Sequence, residues 1–369
     1  MSNLRLPGPT PVPDAVVNAM GQPMIDHRGV AFNEIFSRLS KNLKIAFETE
    51  NDVYVLTSSG TGAMEAAITN TLSIGEKVLA ISIGNFGDRF SKIAKVYGAD
   101  VTDLKFPEGK AADLEMVRQA LKDNPSVTAV LVTHNETSTG ITNDLEGLAA
   151  IIKGEFDKLL IVDAISSLGS MPLATDKWGL DVVISASQKG WMCPPGIAMI
   201  AMSPRAWATS EKATMPRFYF DLVEVKNWAD KGQTPWTPAI SIIFGLDYAV
   251  QQMVAQGDMK AVYDFHARIA KYTRDGLTDI GLELVASDLK YASNTVTAAW
   301  VPEGITDQAL LGMLRDDYDI IAAEGRGILT GKVFRIGHMG HVSEEDIDGV
   351  INALREALPK LGFQPKSTS

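Results

Sequence analysis

The chain has 369 residues, 46% of them hydrophobic, enough for two domains with substantial cores. A formal net charge of −11, from 45 acidic and 34 basic side chains, leaves no basic face for nucleic acid. The single cysteine, Cys193, excludes an internal disulfide and a cysteine-rich metal site, and no apolar run approaches the ~18 residues that a membrane span needs.

Residues 1–25 open with Leu6-Pro7-Gly8-Pro9-Thr10-Pro11-Val12-Pro13. That proline density predicts neither a helix nor an inner strand, but an extended arm lying across another surface. Residues 52–57 alternate into a strand, and Ser58-Ser59-Gly60-Thr61-Gly62-Ala63 then turns into an alanine-rich helix. Glycines let the backbone approach a ligand, and free N–H groups at a helix start attract an anion, so Thr61, Gly62 and Ala63 are candidate phosphate holders. A dinucleotide fold would want a third glycine where Glu65 stands and an acidic residue about twenty positions on, and neither is met.

Residues 76–82 form the next strand, and Phe86 lies just past it between Gly84 and Gly87, placed to stack on a flat heterocycle. Residues 127–132 are a strand ending in Thr133-His134-Asn135-Glu136-Thr137-Ser138-Thr139-Gly140, a loop of hydroxyls at a sheet edge. His134 and Glu136 read as a satisfied polar cluster rather than as metal or acid–base groups, because the other histidines are scattered.

Residues 158–163 and 180–184 are apolar enough for strands covered on both faces, as in a parallel sheet. Asp163 ends the first, and Ser185-Ala186-Ser187-Gln188-Lys189 follows the second, so both charges fall at carboxyl ends, where open α/β sheets bind ligands. No carboxylate neighbours Lys189 in sequence, and a desolvated amine there attacks carbonyls. A lysine for a Schiff base and a carboxylate that keeps a pyridine nitrogen protonated are the two groups that pyridoxal phosphate requires.

A strand at 197–202 completes at least six strands alternating with helices, hence a mainly parallel sheet. Residues 203–238 read as a long irregular stretch ending in Gly232-Gln233-Thr234-Pro235-Trp236-Thr237-Pro238. Helices at 240–256 and 259–280 bridge to a smaller α+β unit. It is expected to hold strands at 293–301, 319–323 and 333–337, a helix at 306–317, and a last helix opened by a capping-box pattern at Ser343-Glu344-Glu345-Asp346. Arg335, between Phe334 and Ile336, is either paired with a core acid or held ready to grip a substrate carboxylate with its planar fork. His338 and His341 have no third partner for a metal.

From Pro7-Gly8-Pro9-Thr10, through Asp163 and Lys189, to Arg335-Ile336-Gly337, the sequence resembles the class V pyridoxal-phosphate aminotransferases, specifically their alanine–glyoxylate and serine–glyoxylate branch. The resemblance implies a fold-type I α/β architecture with a mainly parallel, seven-stranded type of sheet. It implies an N-terminal arm (1–25) that crosses a partner subunit in a homodimer, a large cofactor domain (26–255) and a smaller C-terminal domain (256–369). Lys189 would then hold the cofactor and move the proton, Asp163 would pair with the ring nitrogen, and Thr137 would bond the ring. Phe86 would stack on that ring where several relatives have tryptophan, with Gln188 beside the lysine and His27-Arg28-Gly29 nearby. Gln233 and Thr234 or Thr237 would reach the neighbouring subunit's cofactor phosphate, and Arg335 the substrate carboxylate.

The implied reaction moves an amino group from a small amino acid, alanine or serine, to a 2-oxo acid such as glyoxylate. Ureidoglycine and other small donors differ from these by a few pocket atoms. A cysteine desulfurase shares the fold and cofactor but needs a nucleophilic cysteine on a mobile loop well after the lysine, whereas Cys193 immediately precedes Pro194-Pro195. A non-catalytic subunit of a redox complex could keep the fold, but it would not need Lys189, Asp163 and Arg335 together. With no apolar signal segment at the start, and Ser367-Thr368-Ser369 unlike a peroxisomal tripeptide, a cytoplasmic location is expected.

Overall fold

The computed structural model describes residues 2–364, so Ser367-Thr368-Ser369 lies outside the described residues. In chain order its strands are β1 (Asn3–Arg5), β2 (Val53–Ser58), β3 (Lys77–Ser82), β4 (Asp100–Lys105), β5 (Ala129–Thr133), β6 (Asn135–Glu136), β7 (Ile141–Thr142), β8 (Leu159–Asp163), β9 (Val182–Ala186), β10 (Gly196–Met202), β11 (Val296–Trp300), β12 (Ile320–Glu324) and β13 (Val333–Gly337). Seven of them form one sheet in the order β2-β10-β9-β8-β5-β3-β4. Only β10 runs against its neighbours, so the sheet is mainly parallel, as the sequence predicts.

Alternate residues of each inner strand feed two cores. Leu160 and Val162 of β8 share one with Phe32, Phe36 and Leu39, while Leu159 and Ile161 share the other with Ala63, Met64 and Ile68. Coverage on both faces explains why these strands read as unbroken apolar runs. The edge strand β4 has no counterpart among the sequence expectations. Four of its six residues are exposed, and Asp100, Asp103 and Lys105 guard an edge that would otherwise template pairing with another chain.

A second sheet, β1-β12-β13-β11, packs with the helices Lys260–Ile280, Asp307–Tyr318 and Glu344–Lys360 around Ile269, Leu277, Leu314, Phe334 and Leu354. The last helix has the expected capping box: the Ser343 hydroxyl accepts from the Asp346 N–H, and the Asp346 carboxylate accepts from the Ser343 N–H. Among the described residues no helix is long and apolar enough to cross a membrane.

Two regions depart from the sequence expectations. The arm is not wholly extended: Asp14–Met20 is a helix whose N-cap is Pro13, a position where the missing N–H costs little. It docks through Val16 and Met20 on Gly245 of the helix Ile240–Met253, where an added Cβ would lie 2.7 Å from Met20. Within its own chain the arm also supplies β1, parallel to β12. Residues 203–238 are likewise not irregular throughout. Pro204–Ser210 is a helix opened by the Ser203 hydroxyl, and Leu222–Ala229 is one opened by the Asp221 carboxylate. Such caps are start signals that the surrounding proline and aromatic density masks.

Candidate active site

Lys189 lies on the turn that follows β9 and is 9% exposed. The turn is anchored by Trp191, fully buried, whose ring stacks on Phe47 with centroids 5.9 Å apart and whose Nε1 donates to the Ser185 hydroxyl at 2.8 Å. From the arm, Thr10 donates through Oγ1 to the Lys189 carbonyl at 3.0 Å and through its N–H to the Gln188 carbonyl at 3.2 Å. The amine itself donates to the Pro7 carbonyl. Burial, reinforced by Arg335 and opposed by Asp163, lowers its pKa to about 8. A lysine so shifted is a nucleophile near neutral pH.

Asp163 ends β8, where Thr133 Oγ1 donates to one carboxylate oxygen at 3.3 Å and the Ile165 N–H to the other at 2.9 Å. Burial pushes its pKa up to about 7, the Ile165 N–H works against that rise, and the nearby Glu136 charge adds to it. A buried carboxylate with only two donors retains acceptor capacity for a cationic N–H.

Both groups line one cavity of about 260 Å³, with Thr61, Phe86, Thr137 and Gln188 among its walls. The Lys189 Nζ lies 6.0 Å from the centre of the Phe86 ring. The helix Gly60–Thr71 opens onto the same cavity, and its N-cap Ser59 makes no side-chain cap bond. The N–H groups of Gly60 and Thr61 precede the first intrahelical bond, so they are available to an anion. Gly60 is tight against the wall, where an added Cβ would meet Ile165 at 2.6 Å. The Gln188 Oε1 is buried without a hydrogen-bond partner among the described residues. An amine, a carboxylate, an aromatic face and an uncapped helix start are the donor set that pyridoxal phosphate needs, so these residues fit it.

Not every residue singled out from the sequence lines that cavity. Gly62 and Ala63 lie inside the helix, their N–H groups already on the Ser59 carbonyl. Gln233 and Thr234 pack instead with Arg28, which donates to the Gln233 Oε1 at 3.1 Å and to the Thr234 carbonyl at 2.6 Å, and Thr237 is exposed. Arg335, 3% exposed, shows neither of the two expected forms outright. Nε and Nη2 donate to the Glu324 carbonyl at 2.9 and 2.7 Å, and Nη1 to the Thr137 carbonyl at 2.9 Å. Its partners are carbonyls, not a core acid, each terminal nitrogen keeps one N–H, and Arg335 stands behind the cavity wall at Thr137 rather than in it.

The structure adds residues the sequence left out: Gly8 and Pro9 from the arm, Arg89, Asn135 and Ser166 all line the cavity. Arg89 stands 4.8 Å over the Phe86 ring, and helical i,i+3 spacing from Phe86 could have found it. A Cβ at Gly8, whose φ is +105°, would come within 2.7 Å of the Lys189 side chain, and no local signal announces that approach. His134 is buried and neutral, its pKa lowered by burial to about 4, and its Nδ1 has no partner among the described residues. The satisfied-cluster reading therefore holds for Glu136, with four donors, and only in part for His134.

The family model for aminotransferase class-V matches residues 3–350. A chain named "Soluble hydrogenase, small subunit" from Synechococcus sp. is 40% identical over 98% of this chain and 94% of its own length. An L-aspartate–glyoxylate aminotransferase of Paracoccus denitrificans is 36% identical over 92% and 86%. The crystal structure of an alanine–glyoxylate aminotransferase from Nostoc sp. superposes with a TM-score of 0.92 at 33% identity, covering 97% of this chain and 95% of that one. With a fold-type I architecture, a lysine and an aspartate at neighbouring strand ends, and these likenesses over nearly its whole length, the chain belongs to the class V aminotransferase family of pyridoxal-phosphate-dependent transaminases.

Proposed function

We propose that this chain moves an amino group from a small amino acid, alanine or serine, to a 2-oxo acid such as glyoxylate, with pyridoxal phosphate held in the Lys189 cavity. The observation that carries the reading is the pair of buried groups facing one cavity, an amine of lowered and a carboxylate of raised proton affinity. Opposed shifts of this kind mark acid–base partners. When bound, pyridoxal phosphate would supply an electrophilic aldehyde and an electron-withdrawing ring. Lys189 would hold it, and its Nζ would take and return the substrate Cα proton.

Asp163 would keep a proton on the ring nitrogen, Phe86 would cover a ring face, Thr137 and Gln188 would offer polar contacts, and the helix start at Gly60 and Thr61 would take the phosphate. Arg335 orients the substrate through its carboxylate, so that Cα comes within reach of Lys189. A cavity of about 260 Å³ lies just below the usual range of about 300–1,000 Å³ for ligand sites, which is consistent with a small donor. The working unit is a homodimer, in which Gln233, Thr234 and Thr237, away from their own cavity, serve the neighbouring one. The large domain spans 26–255 and the small one 256–369, with the arm (1–25) joining them. A reducing cytoplasm suits the lone thiol. Burial pushes that Cys193 thiol up to about 12, which disfavours a desulfurase nucleophile.

The name of the Synechococcus relative motivates one second reading, a subunit of a redox assembly that keeps the fold. Reconstitution with pyridoxal phosphate, followed by a panel of alanine, serine, aspartate and ureidoglycine against glyoxylate and pyruvate, separates the two. A visible band removed by borohydride, with ping-pong turnover of a small donor, is the expected result. A band without turnover of any pair would favour the subunit reading.

A further inference from the structure

Glu136 lies behind the cavity wall, bonded to the wall residue Phe86, without a part in the chemistry above. It sits in the β6–β7 hairpin, paired with Ile141, and its side chain is 0% exposed. One carboxylate oxygen accepts from the Phe86 N–H at 2.8 Å and the Gly87 N–H at 3.1 Å. The other accepts from the Ser138 N–H at 3.0 Å and the Ser138 hydroxyl at 2.6 Å. The same hydroxyl accepts from the Asn85 N–H at 3.0 Å. The first three N–H groups of the helix Asn85–Val96 are thus taken by a turn from elsewhere in the chain. The helix's own N-cap, Gly84, has no side chain to offer, and a Cβ there would lie 2.6 Å from both the Glu136 Cγ and the Ser138 Oγ. Burial raises the Glu136 pKa, the donors on both oxygens oppose that rise, and the helix start favours the ionised, acceptor-only form.

The turn also holds Thr137, whose carbonyl is fixed from its far side by Arg335 Nη1 at 2.9 Å. Phe86 and Thr137 both line the cavity, and the single carboxylate between them ties one to the other. We propose that Glu136 is a positioning residue, which locks the Phe86 wall to the Thr137–Ser138 turn and so fixes the slot that a flat cofactor ring enters. The proposal rests on the reading of this cavity as the pyridoxal-phosphate site.

Glu136→Gln is the test. The amide keeps the volume and one acceptor for Phe86 and Gly87, but it loses the charge and turns an NH₂ toward the Ser138 N–H. In the holoenzyme, cofactor retention on dilution should weaken by about tenfold, the loss expected when a charge-assisted bond goes. The visible circular dichroism induced in the bound cofactor should shrink, amide exchange at Phe86 and Gly87 should quicken, and kcat should fall more than KM rises. In a Phe86→Leu background Glu136→Gln should add little, because the two act as a unit. Unchanged dichroism and retention in the variant, or effects that add in full to those of Phe86→Leu, would overturn the proposal. If Glu136→Gln does not fold, Ser138→Ala keeps the carboxylate, removes its link to the Asn85 N–H, and should give the same changes at smaller amplitude; none would again overturn it. A wild-type protein that shows no borohydride-sensitive band refutes the cavity reading instead, so the two failures are distinguishable.

Discussion

Two buried cations stand on two different sheets, Lys189 in the cavity wall and Arg335 bonded to the carbonyl of the wall residue Thr137, and they are held in opposite ways. Arg335 sits within β13, between Ala298 of β11 and Ala323 of β12, with its side chain fixed on two backbone carbonyls. Lys189 sits beyond the end of β9, where hydrogen bonds fix its main chain but its amine meets one partner, the Pro7 carbonyl. A group that must orient a substrate gains from a rigid strand, whereas a group that must change bonding partners gains from a turn that lets it swing. Burial lowers both pKa values, Arg335 to about 10 and Lys189 to about 8, and only the lysine comes near neutrality. Arg335, the proposed clamp, therefore stays charged, while Lys189, the proposed reagent, can exchange a proton.

The sharpest way to break this division is Lys189→Ala. Turnover should drop to background, with no borohydride-sensitive band, while far-UV dichroism and melting stay close to wild type; retained turnover would mean that the lysine is no reagent. Asp163→Asn should come next. It should still take up cofactor but lose about 3–5 kcal/mol of transition-state stabilisation, the cost of breaking one side of a buried charge pair, read as kcat/KM. The same substitution has an opposite effect on the cofactor-free fold. Because the Asp163 pKa is raised to about 7, its contribution to stability is complete below the ordinary carboxylate range and is lost as pH rises through about 7. A neutral amide at this position escapes that loss, so the Asp163→Asn variant should melt above wild type at pH 8 and converge with it near pH 4. A constant gap across that range would show that charge burial at this position is not the cause.

Arg335→Lys tests the clamp itself. The charge remains, but the fork is lost, and carboxylated amines should lose about 10–100-fold in kcat/KM, with kcat affected as well as KM. Amines without a carboxylate should be poor substrates of the wild type and change little in the variant. Equal losses for both kinds of amine would make Arg335 a structural tie between Glu324 and Thr137.

Much of this arrangement is legible in the sequence because buried parallel strands announce themselves. Leu159–Asp163 and Val182–Ala186 are apolar runs, and whatever polar group follows them lands at the sheet's ligand-binding end. Arg335 is legible as a buried charge, but its anchors are not, because they are main-chain carbonyls, which every residue has. The edge strand β4 is hidden by its own function, since the charges that protect an edge erase the apolar alternation. Least legible is the arm. Its prolines show that it is not an inner strand, yet nothing local says which surface it crosses, and the contact of Pro7 with Lys189 spans 182 positions.

That contact bears on the smallest effect worth measuring. If the lysine's freedom lies in its side chain alone, its main chain has to be held, and Thr10 supplies two of the bonds that hold it. Thr10→Val keeps the shape and the N–H bond to Gln188 but removes the hydroxyl that donates to the Lys189 carbonyl. That carbonyl still accepts from the Met192 N–H at 3.2 Å, so the loss should be modest, about 1 kcal/mol in unfolding free energy. Turnover should fall a few-fold, since a looser turn misplaces the amine without changing its chemistry. Thr10→Ser should restore both, because the hydroxyl returns. A Thr10→Val enzyme that loses stability but keeps wild-type turnover would show that the arm supports the fold and leaves the lysine's placement to Trp191 and the turn itself.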